Sequence, residues 1–541
     1  MFFMIIGFSI VETVGISAIM PFIAIVSDTS LVEEGIYKTI FDFFGFETPE
    51  RFIIVFGIAI LIFYIFRGLY FVALTYATRR YSNMIYKYFS KKAFEVNLAI
   101  PYKTFAQKNS GELMQAILWE TKEVGNVVFH LLRICSEFFT IIMIYSLIFV
   151  LNWQVTLIIT LTLFLLIAIF ASTLTKINLK QGKIRVASNR KMTSTLKESL
   201  GNLKYIKLKG NEKDILKSYN GTMEKFTGAE LLNNMLGAVP KGVLESLGFS
   251  VLIGVVVIIV WRFNDASMAI PVISMYALAL FRILPSTNRL LAEANRIAYI
   301  DETINKVHDS LQQPFENEGE EPVHFENSIR LENISFNYVI DKIVINDISL
   351  EIIKGEKIAF TGESGGGKST LIDIITGIHK PMNGTVLIDE APLTNKNIRS
   401  WRKKIGYIPQ SIYLFDGTVG ENVAFGSIYD EEKIKTALVK ANIWDFLSQK
   451  NGINTCVGDG GILLSGGQQQ RICIARAIYD DPELLVLDEA TSALDNETEQ
   501  KIMDEIYNVS ANKTLLIIAH RLTTVERCDR IIRIINGNIQ T

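Results

Sequence analysis

The residues best suited to do chemistry lie at 362–370, Gly-Glu-Ser-Gly-Gly-Gly-Lys-Ser-Thr, after the strand-like Lys357-Ile358-Ala359-Phe360-Thr361 and before an apolar helical pattern. A G-x4-G-K-S loop between a strand and a helix lets backbone N–H groups wrap phosphates. Gly362, Glu363, Ser364, Gly365, Gly366, Gly367 and Thr370 are expected to form the cradle, with Lys368 at the β/γ oxygens and the Ser369 hydroxyl on Mg²⁺ at a helix N-terminus. Further on, Leu484-Leu485-Val486-Leu487-Asp488-Glu489 is an apolar run ending in two carboxylates. That suits a buried parallel strand whose C-terminal end reaches the nucleotide. Asp488 is expected in the Mg²⁺ shell and Glu489 as the base that orients and deprotonates the attacking water, a role worth roughly 10²- to 10⁴-fold in rate.

The frame around these residues has two characters. The chain has 541 residues, 49% hydrophobic and 20% charged, enough for roughly three to four domain equivalents. Residues 1–300 hold 30 basic and 20 acidic side chains, whereas the remainder holds 24 and 36. The basic, apolar first part fits a membrane protein with cytoplasmic loops, and the acidic second part argues against nucleic-acid binding. The four cysteines of the whole chain make no C-x-x-C pair and no metal-ligand spacing with its five histidines, so neither a disulfide framework nor zinc is expected. From Phe138 to Thr175 no charged residue appears over 38 residues, room for two spans of about 20 residues each. With the other apolar stretches this predicts six spans, at 1–27, 52–78, 127–151, 153–175, 239–262 and 266–285.

The segments between spans 2 and 3 and between spans 4 and 5 are long and basic, while the loop 28–51 has two basic residues against six acidic ones. The positive-inside rule then puts both termini and the basic segments in the cytoplasm. Those segments keep helical periodicity, so the helices should run well past the bilayer. Residues 311–328, with Pro314, Gly319, Pro322 and several glutamates, read as a linker. From 329 to 541, short β-rich runs alternate with helices, the signal of an α/β domain.

Twenty residues before the acidic strand stands Leu464-Ser465-Gly466-Gly467-Gln468, followed by an arginine-bearing helix. With this signature, the P-loop and the acidic strand, the sequence resembles the ATP-binding cassette (ABC) family across 329–541. The resemblance implies ATP and Mg²⁺ as cofactors and ATP hydrolysis coupled to transport. It implies that Gln410 is the Q-loop glutamine, near both the Mg²⁺ and the water, and that His520 is the switch histidine on the γ-phosphate. Tyr338 resembles the aromatic that stacks on adenine, Ser492-Ala493-Leu494-Asp495 the D-loop, and Thr455-Cys456-Val457-Gly458-Asp459-Gly460-Gly461 the short exporter motif. Ser465, Gly466, Gly467 and Gln468 would complete the site of a second copy, so the chain resembles a half-transporter that forms a homodimer. The implied fold is an α-helical six-span transmembrane domain of the exporter type (type IV) over residues 1–310, followed by a cytoplasmic α/β P-loop nucleotide-binding domain. Residues 105–113 and Ile206 to Glu212 resemble the two coupling regions.

Cargo has to be read from polar residues inside the spans. Arg67 and Arg282 lie deep in spans 2 and 6, where a charge costs at least about 2.5 kcal/mol on insertion scales. Arg282, Arg289 and Arg296 recur every seven residues on one helical face, near Pro285. An arginine stripe suits bidentate phosphate binding; alternatively, Arg67 pairs with Glu12 and Arg289 with Glu293, and Arg296 sits in water. In the outward loop, Ile36, Ile40, Phe43 and Phe44 suggest an amphipathic interfacial helix that either holds a lipid tail or caps the spans. Over nearly its full length the chain is similar to bacterial lipid-linked oligosaccharide flippases of the PglK type, through Met20-Pro21, Phe66-Arg67-Gly68, Leu280 to Ser286, Asn288-Arg289 and Ile405 to Gln410. The resemblance implies flipping of a polyprenyl-pyrophosphate oligosaccharide across the bacterial inner membrane in protein glycosylation, with Arg67, Arg282 and Arg289 at the pyrophosphate. Export of another lipid, a drug or a peptide is the alternative. Such flippases begin with a cytoplasmic interfacial helix, whereas this sequence begins within span 1, so a start upstream of Met1 or a lost N-terminus is expected.

Overall fold

The computed structural model describes residues 1–33, 35–151, 153–263, 269–339, 342–488, 496–519 and 525–540. The apolar and basic runs become long helices: α1 (Phe2–Ser27), α2 (Gly35–Phe44) and α3 (Pro49–Ala99). With 51 residues α3 is about 75 Å long at 1.5 Å per residue, far beyond a hydrocarbon core of about 30 Å. The apolar 52–77 stretch and the charged 79–99 stretch thus share one rod, which ends before Pro101. A short helix α4 (Tyr102–Phe105) follows, then α5 (Ser110–Gln115), started by the Asn109 side chain accepting the Gly111 N–H at 2.9 Å. One π-helical turn, Ala116–Glu120, leads into α6 (Thr121–Leu151), α7 (Trp153–Gly201), α8 (Leu203–Lys209), α9 (Glu212–Phe263) and α10 (Ala269–Leu311).

Among the described residues three helices are long and apolar enough to cross a membrane, Phe2–Ser27, Pro49–Ala99 and Ser110–Val150. The other three expected spans fall on α7, α9 and α10, where many side chains lie outside the described residues. Two compact units divide the chain, Met1–Leu98 with Lys108–Gln313, and Ala99–Gln107 with Pro314–Thr541. In the first, α10 packs along α6, α7 and α9. Polar ties fix the register of the rods: Ser82 Oγ donates to Gly125 O at 2.7 Å, and Arg190 on α7 reaches the buried Glu120 carboxylate at 2.8 Å.

The second unit contains two sheets. β1 (Ser328–Val339), β2 (Lys342–Ile353), β4 (Asn383–Ile388) and β5 (Ala391–Pro392) form an antiparallel sheet in the order β2-β1-β4-β5. β3 (Lys357–Thr361), β6 (Ile405–Ile408), β7 (Leu484–Asp488), β8 (Thr514–Ile518), β9 (Arg530–Ile535) and β10 (Asn538–Gln540) form the other, ordered β10-β9-β3-β8-β7-β6. The helices are α11 (Lys368–Ile375), α12 (Ile398–Arg402), α13 (Val419–Val423), α14 (Glu431–Lys440), α15 (Trp444–Ser448), α16 (Gly466–Ile478) and α17 (Asn496–Val509). Alternation along β7 sends Leu484 and Val486 into the core that holds Leu371, Ile372, Ile374 and Ile375 of α11. Leu485 and Leu487 face the opposite core, with Ile472 and Cys473 of α16. A strand buried on both faces must be apolar throughout, hence the continuous run in the sequence.

The 314–321 stretch is fastened to its own unit. Gly319 N–H donates to Asn395 O at 2.6 Å, Glu321 N–H to Lys396 O at 2.9 Å, and Arg402 Nη1 to both Glu318 carboxylate oxygens at 2.8 Å.

Candidate functional site

Parallel pairing aligns the strand ends that carry the motifs. Ile408 stands opposite Leu487, Asp488 opposite Ile518, and Ile518 opposite Phe360. Gln410, Asp488 and the loop from Gly362 therefore stand at the C-terminal ends of β6, β7 and β3 on one edge of the sheet, with β8 between β7 and β3, where α/β sheets bind ligands. The loop after β3 is shaped by its glycines. Gly362 has φ +136° and a Cβ there would stand 2.1 Å from Ile534 O; Gly367 has φ +105° and would place its Cβ 2.9 Å from Val344 O. Any side chain would push the loop off the sheet.

Lys368, the first residue of α11, is buried, and its ammonium donates to Gly362 O at 3.0 Å and Glu363 O at 2.9 Å. Those bonds close the loop into a ring whose N–H groups stand at the positive end of α11, a ready phosphate site. Ser369 is exposed at the helix start. Asp488 accepts from the Tyr407 hydroxyl at 2.8 Å. Burial, with the Asp488 charge beside it, pushes the Tyr407 phenol well above its ordinary range. The same two causes push the carboxyl of Asp373, on α11, up to about 6. A hydroxyl, a carboxylate and an amide oxygen, from Ser369, Asp488 and Gln410, make the hard oxygen donor set that suits Mg²⁺.

The signature segment is self-contained. Ser465 caps α16, its hydroxyl accepting the Gln468 N–H at 3.4 Å while Gln468 Oε1 accepts the Ser465 N–H at 2.9 Å. Ser465 and Gly466 are exposed, and a Cβ on Gly466 would touch nothing within 4 Å. Behind this cap, Gln469 Nε2 donates to Gly461 O at 2.8 Å, binding the exporter-motif loop to the signature helix. Arg476 reaches Asn422 O at 2.7 Å and Tyr413 O at 3.1 Å, so the loop after Gln410 is braced to the same helix.

The membrane unit holds a cavity of about 610 Å³ lined from α1, α3, α6 and α10. Four arginines line it, Arg67, Arg79, Arg133 and Arg289, with Thr75, Thr78, Ser136, Glu137 and Thr140 among their neighbours. Arg67 grips the buried Glu12 carboxylate at 2.8 and 2.5 Å. Arg289 binds Glu137 of α6 at 2.5 and 3.0 Å, and not Glu293, which is taken by Arg133 at 3.0 Å and by His130. Pairing within one helix loses to pairing across helices because α6 and α10 are packed along their length. Arg79 lies 3.5 Å above the Phe129 ring and has no carboxylate partner among the described residues. The cavity thus offers a cation excess beside apolar Phe8, Phe71 and Leu132.

Of the residues singled out from sequence, the P-loop, Gln410 and Asp488 meet at one sheet edge, and Tyr338 joins the P-loop helix with its hydroxyl 3.2 Å from Thr370 Oγ1. Glu489, Asp495, His520 and the Arg282 side chain lie outside the described residues. The sequence reading missed Asp373, Tyr407 and His379, and also Arg79 and Arg133. Asp373 had a signal, a lone acid inside Leu-Ile-Asp-Ile-Ile; the others acquire meaning only through partners distant in the chain.

Comparison with known proteins gives two family matches, an ABC transporter transmembrane region over residues 2–284 and an ABC transporter domain over 345–492. The heterocyst differentiation ATP-binding protein HepA of Nostoc sp. is 31% identical over 460 residues, 83% of this chain and 74% of that protein. An ATP-dependent lipid A-core flippase of Saccharophagus degradans is 31% identical over 462 residues, 83% of this chain and 77% of the relative. Among solved structures, a bacterial Atm1-family ABC exporter with ATP bound superposes with a TM-score of 0.80 over 99% of this chain and 93% of its own, at 21% identity, which speaks to fold.

Proposed function

This chain belongs to the ABC transporter family, an exporter of the bacterial inner membrane that couples ATP hydrolysis to transport, and from that premise we propose that its cargo is a polyprenyl-pyrophosphate-linked oligosaccharide flipped from the inner to the outer leaflet for protein glycosylation. The observation that carries this reading is the cavity with four arginines against an apolar wall. Guanidinium forks match phosphate oxygens bidentately, and a phosphate can exchange with the carboxylates now held by Arg67 and Arg289. Arg282, seven residues before Arg289 in the sequence, would add a further guanidinium for phosphate.

In the nucleotide-binding unit, Lys368 and the loop N–H groups bind the phosphates, and Ser369, Asp488 and Gln410 would hold a Mg²⁺ ion, which would supply positive charge to the phosphate oxygens. Glu489 takes a proton from the attacking water, and His520 holds the γ-phosphate. The exposed Ser465 cap and Gly466 would face the P-loop of a second copy, so the working unit is a homodimer with two composite sites. Asp495 would contact the partner's site and Tyr338 the adenine.

A second cargo, lipid A-core, is favoured by the names of relatives that cover more than four-fifths of the chain. The deciding experiment is flipping of radiolabelled polyprenyl-pyrophosphate oligosaccharide in proteoliposomes, with lipid A-core as competitor, for wild type, Glu489→Gln and Arg289→Ala with Arg79→Ala. Transport by wild type alone supports the proposal. ATP-dependent transport of only the competitor moves the assignment to lipid A-core. Unimpaired transport by the double arginine variant refutes the cavity as the phosphate site.

A further inference from the structure

His379, in the turn after α11, is an almost fully buried histidine outside every motif. Its ring stacks on Phe336 at 4.9 Å and meets Tyr338 edge-on at 5.4 Å, with Nε2 3.2 Å from the Tyr338 hydroxyl. Asp373 Oδ2 is farther from the same nitrogen, at 3.7 Å. The Tyr338 hydroxyl also lies 3.2 Å from Thr370 Oγ1. One hydroxyl can accept from Thr370 and donate to His379, provided the imidazole is neutral and presents a lone pair at Nε2. Burial, with the Lys103 charge beside it, holds the imidazole below its ordinary range and favours that form.

The backbone leading to Tyr338 is pinned separately. Lys103 of α4 donates to Asn337 O at 2.8 Å, and the Tyr102 ring lies 5.9 Å from His379. The tyrosine is thus held at its base by a backbone bond and at its tip by two hydrogen bonds, one of them to the P-loop helix.

We propose that His379 is the positioning residue that fixes the ring of Tyr338 beside the P-loop helix and so sets the affinity for the base of ATP. This rests on the reading of Tyr338 as the adenine-stacking side chain. His379 touches no reacting atom, so its effect should fall on KM for ATP and leave kcat nearly alone.

The test uses the purified full-length transporter in nanodiscs, with ATPase kinetics and inhibition by inorganic tripolyphosphate, which carries phosphates and no base. His379→Phe keeps a ring of similar bulk and removes the acceptor; it should raise KM for ATP about fivefold, with kcat within about twofold and tripolyphosphate inhibition unchanged. His379→Gln, which can still accept from the tyrosine, should recover most of the loss. In a Tyr338→Phe background, His379→Phe should add less than about 1.5-fold, because both changes remove one bond. An unchanged KM in His379→Phe, or a parallel loss of tripolyphosphate inhibition, overturns the positioning role. If Tyr338→Ala raises KM while His379→Phe does not, the adenine reading stands and this proposal falls. An unchanged KM in Tyr338→Ala removes both.

Discussion

The nucleotide-binding and membrane units use charged side chains in opposite ways. In the first, motif residues come together because adjacent parallel strands end side by side, so spacing along the chain converts directly into proximity: Asp488 pairs with Ile518, and Ile518 with Phe360. In the second, Arg67 finds Glu12 across 55 residues and Arg289 finds Glu137 across 152. Chemistry carried by local loops is readable as a motif; chemistry carried by packed helices is visible only as an unexplained charge in an apolar run.

The strongest way to break that contrast is at Lys368. Its ammonium already spans two loop carbonyls and is aimed where phosphate charge would gather. Lys368→Ala should lower ATP hydrolysis by at least about 10²-fold, the usual cost of one preorganised donor in a closed site. Steady-state ATPase measurements check it, and a fall below about fivefold would mean that the motif is not the working site.

That difference also separates what was legible from what was not. The P-loop, the acidic strand and the signature before its helix stood in the sequence with their structural context, and β3 and β7 follow from apolar runs too short for helices. The long rods were legible from periodicity that outlasts the apolar segments. Partner choice was not. Nothing in the local pattern of α10 says that Arg289 will leave Glu293, one turn away, for Glu137 on α6. Nor does a Glu-rich linker announce that Glu318 will meet Arg402, some 84 residues on. The grouping of Ala99–Gln107 with the nucleotide-binding unit depends on tertiary contacts such as Lys103 to Asn337 O.

The membrane unit gives the next largest effect. Glu12 is buried in α1 and receives two hydrogen bonds from Arg67, so Arg67→Met should destabilise by about 3 to 5 kcal/mol by taking the cation away from a buried carboxylate. Glu12→Gln combined with Arg67→Met should recover most of that loss, since the pair as a whole contributes far less than breaking it costs. Thermal unfolding in detergent distinguishes the two outcomes. Arg79 is the control within the same cavity: it rests on Phe129 and, among the described residues, meets no carboxylate, so Arg79→Ala should cost no more than about 1 kcal/mol while weakening transport of a phosphorylated lipid. Equal destabilisation by Arg67→Met and Arg79→Ala would erase the distinction between the arginine paired with a buried carboxylate and the one stacked on a ring.

The smallest effect tests the same electrostatics where water is near. Asp389, in the turn after β4, has left-handed φ of +53° and receives the N–H groups of Glu326, Asn327 and Ser328 at 2.8, 2.7 and 2.9 Å. Slight burial pushes its carboxyl up, but those three donors, with Lys354 nearby, hold it below the usual carboxylate range. A carboxyl lowered on folding contributes stability that is fully present above its unfolded value near 3.9 and is lost as pH falls through the folded value. Wild-type and Asp389→Asn proteins should therefore differ by a constant amount from about pH 7 to 5, on the order of 1 kcal/mol given the exposure of the site, and converge as the pH drops below about 4. Denaturant midpoints at a series of pH values measure this, and a gap that widens on acidification would reverse the assigned sign. Losing a partner thus costs a partly exposed carboxylate less than a buried one, because water can replace a lost hydrogen bond at Asp389 and is excluded from Glu12.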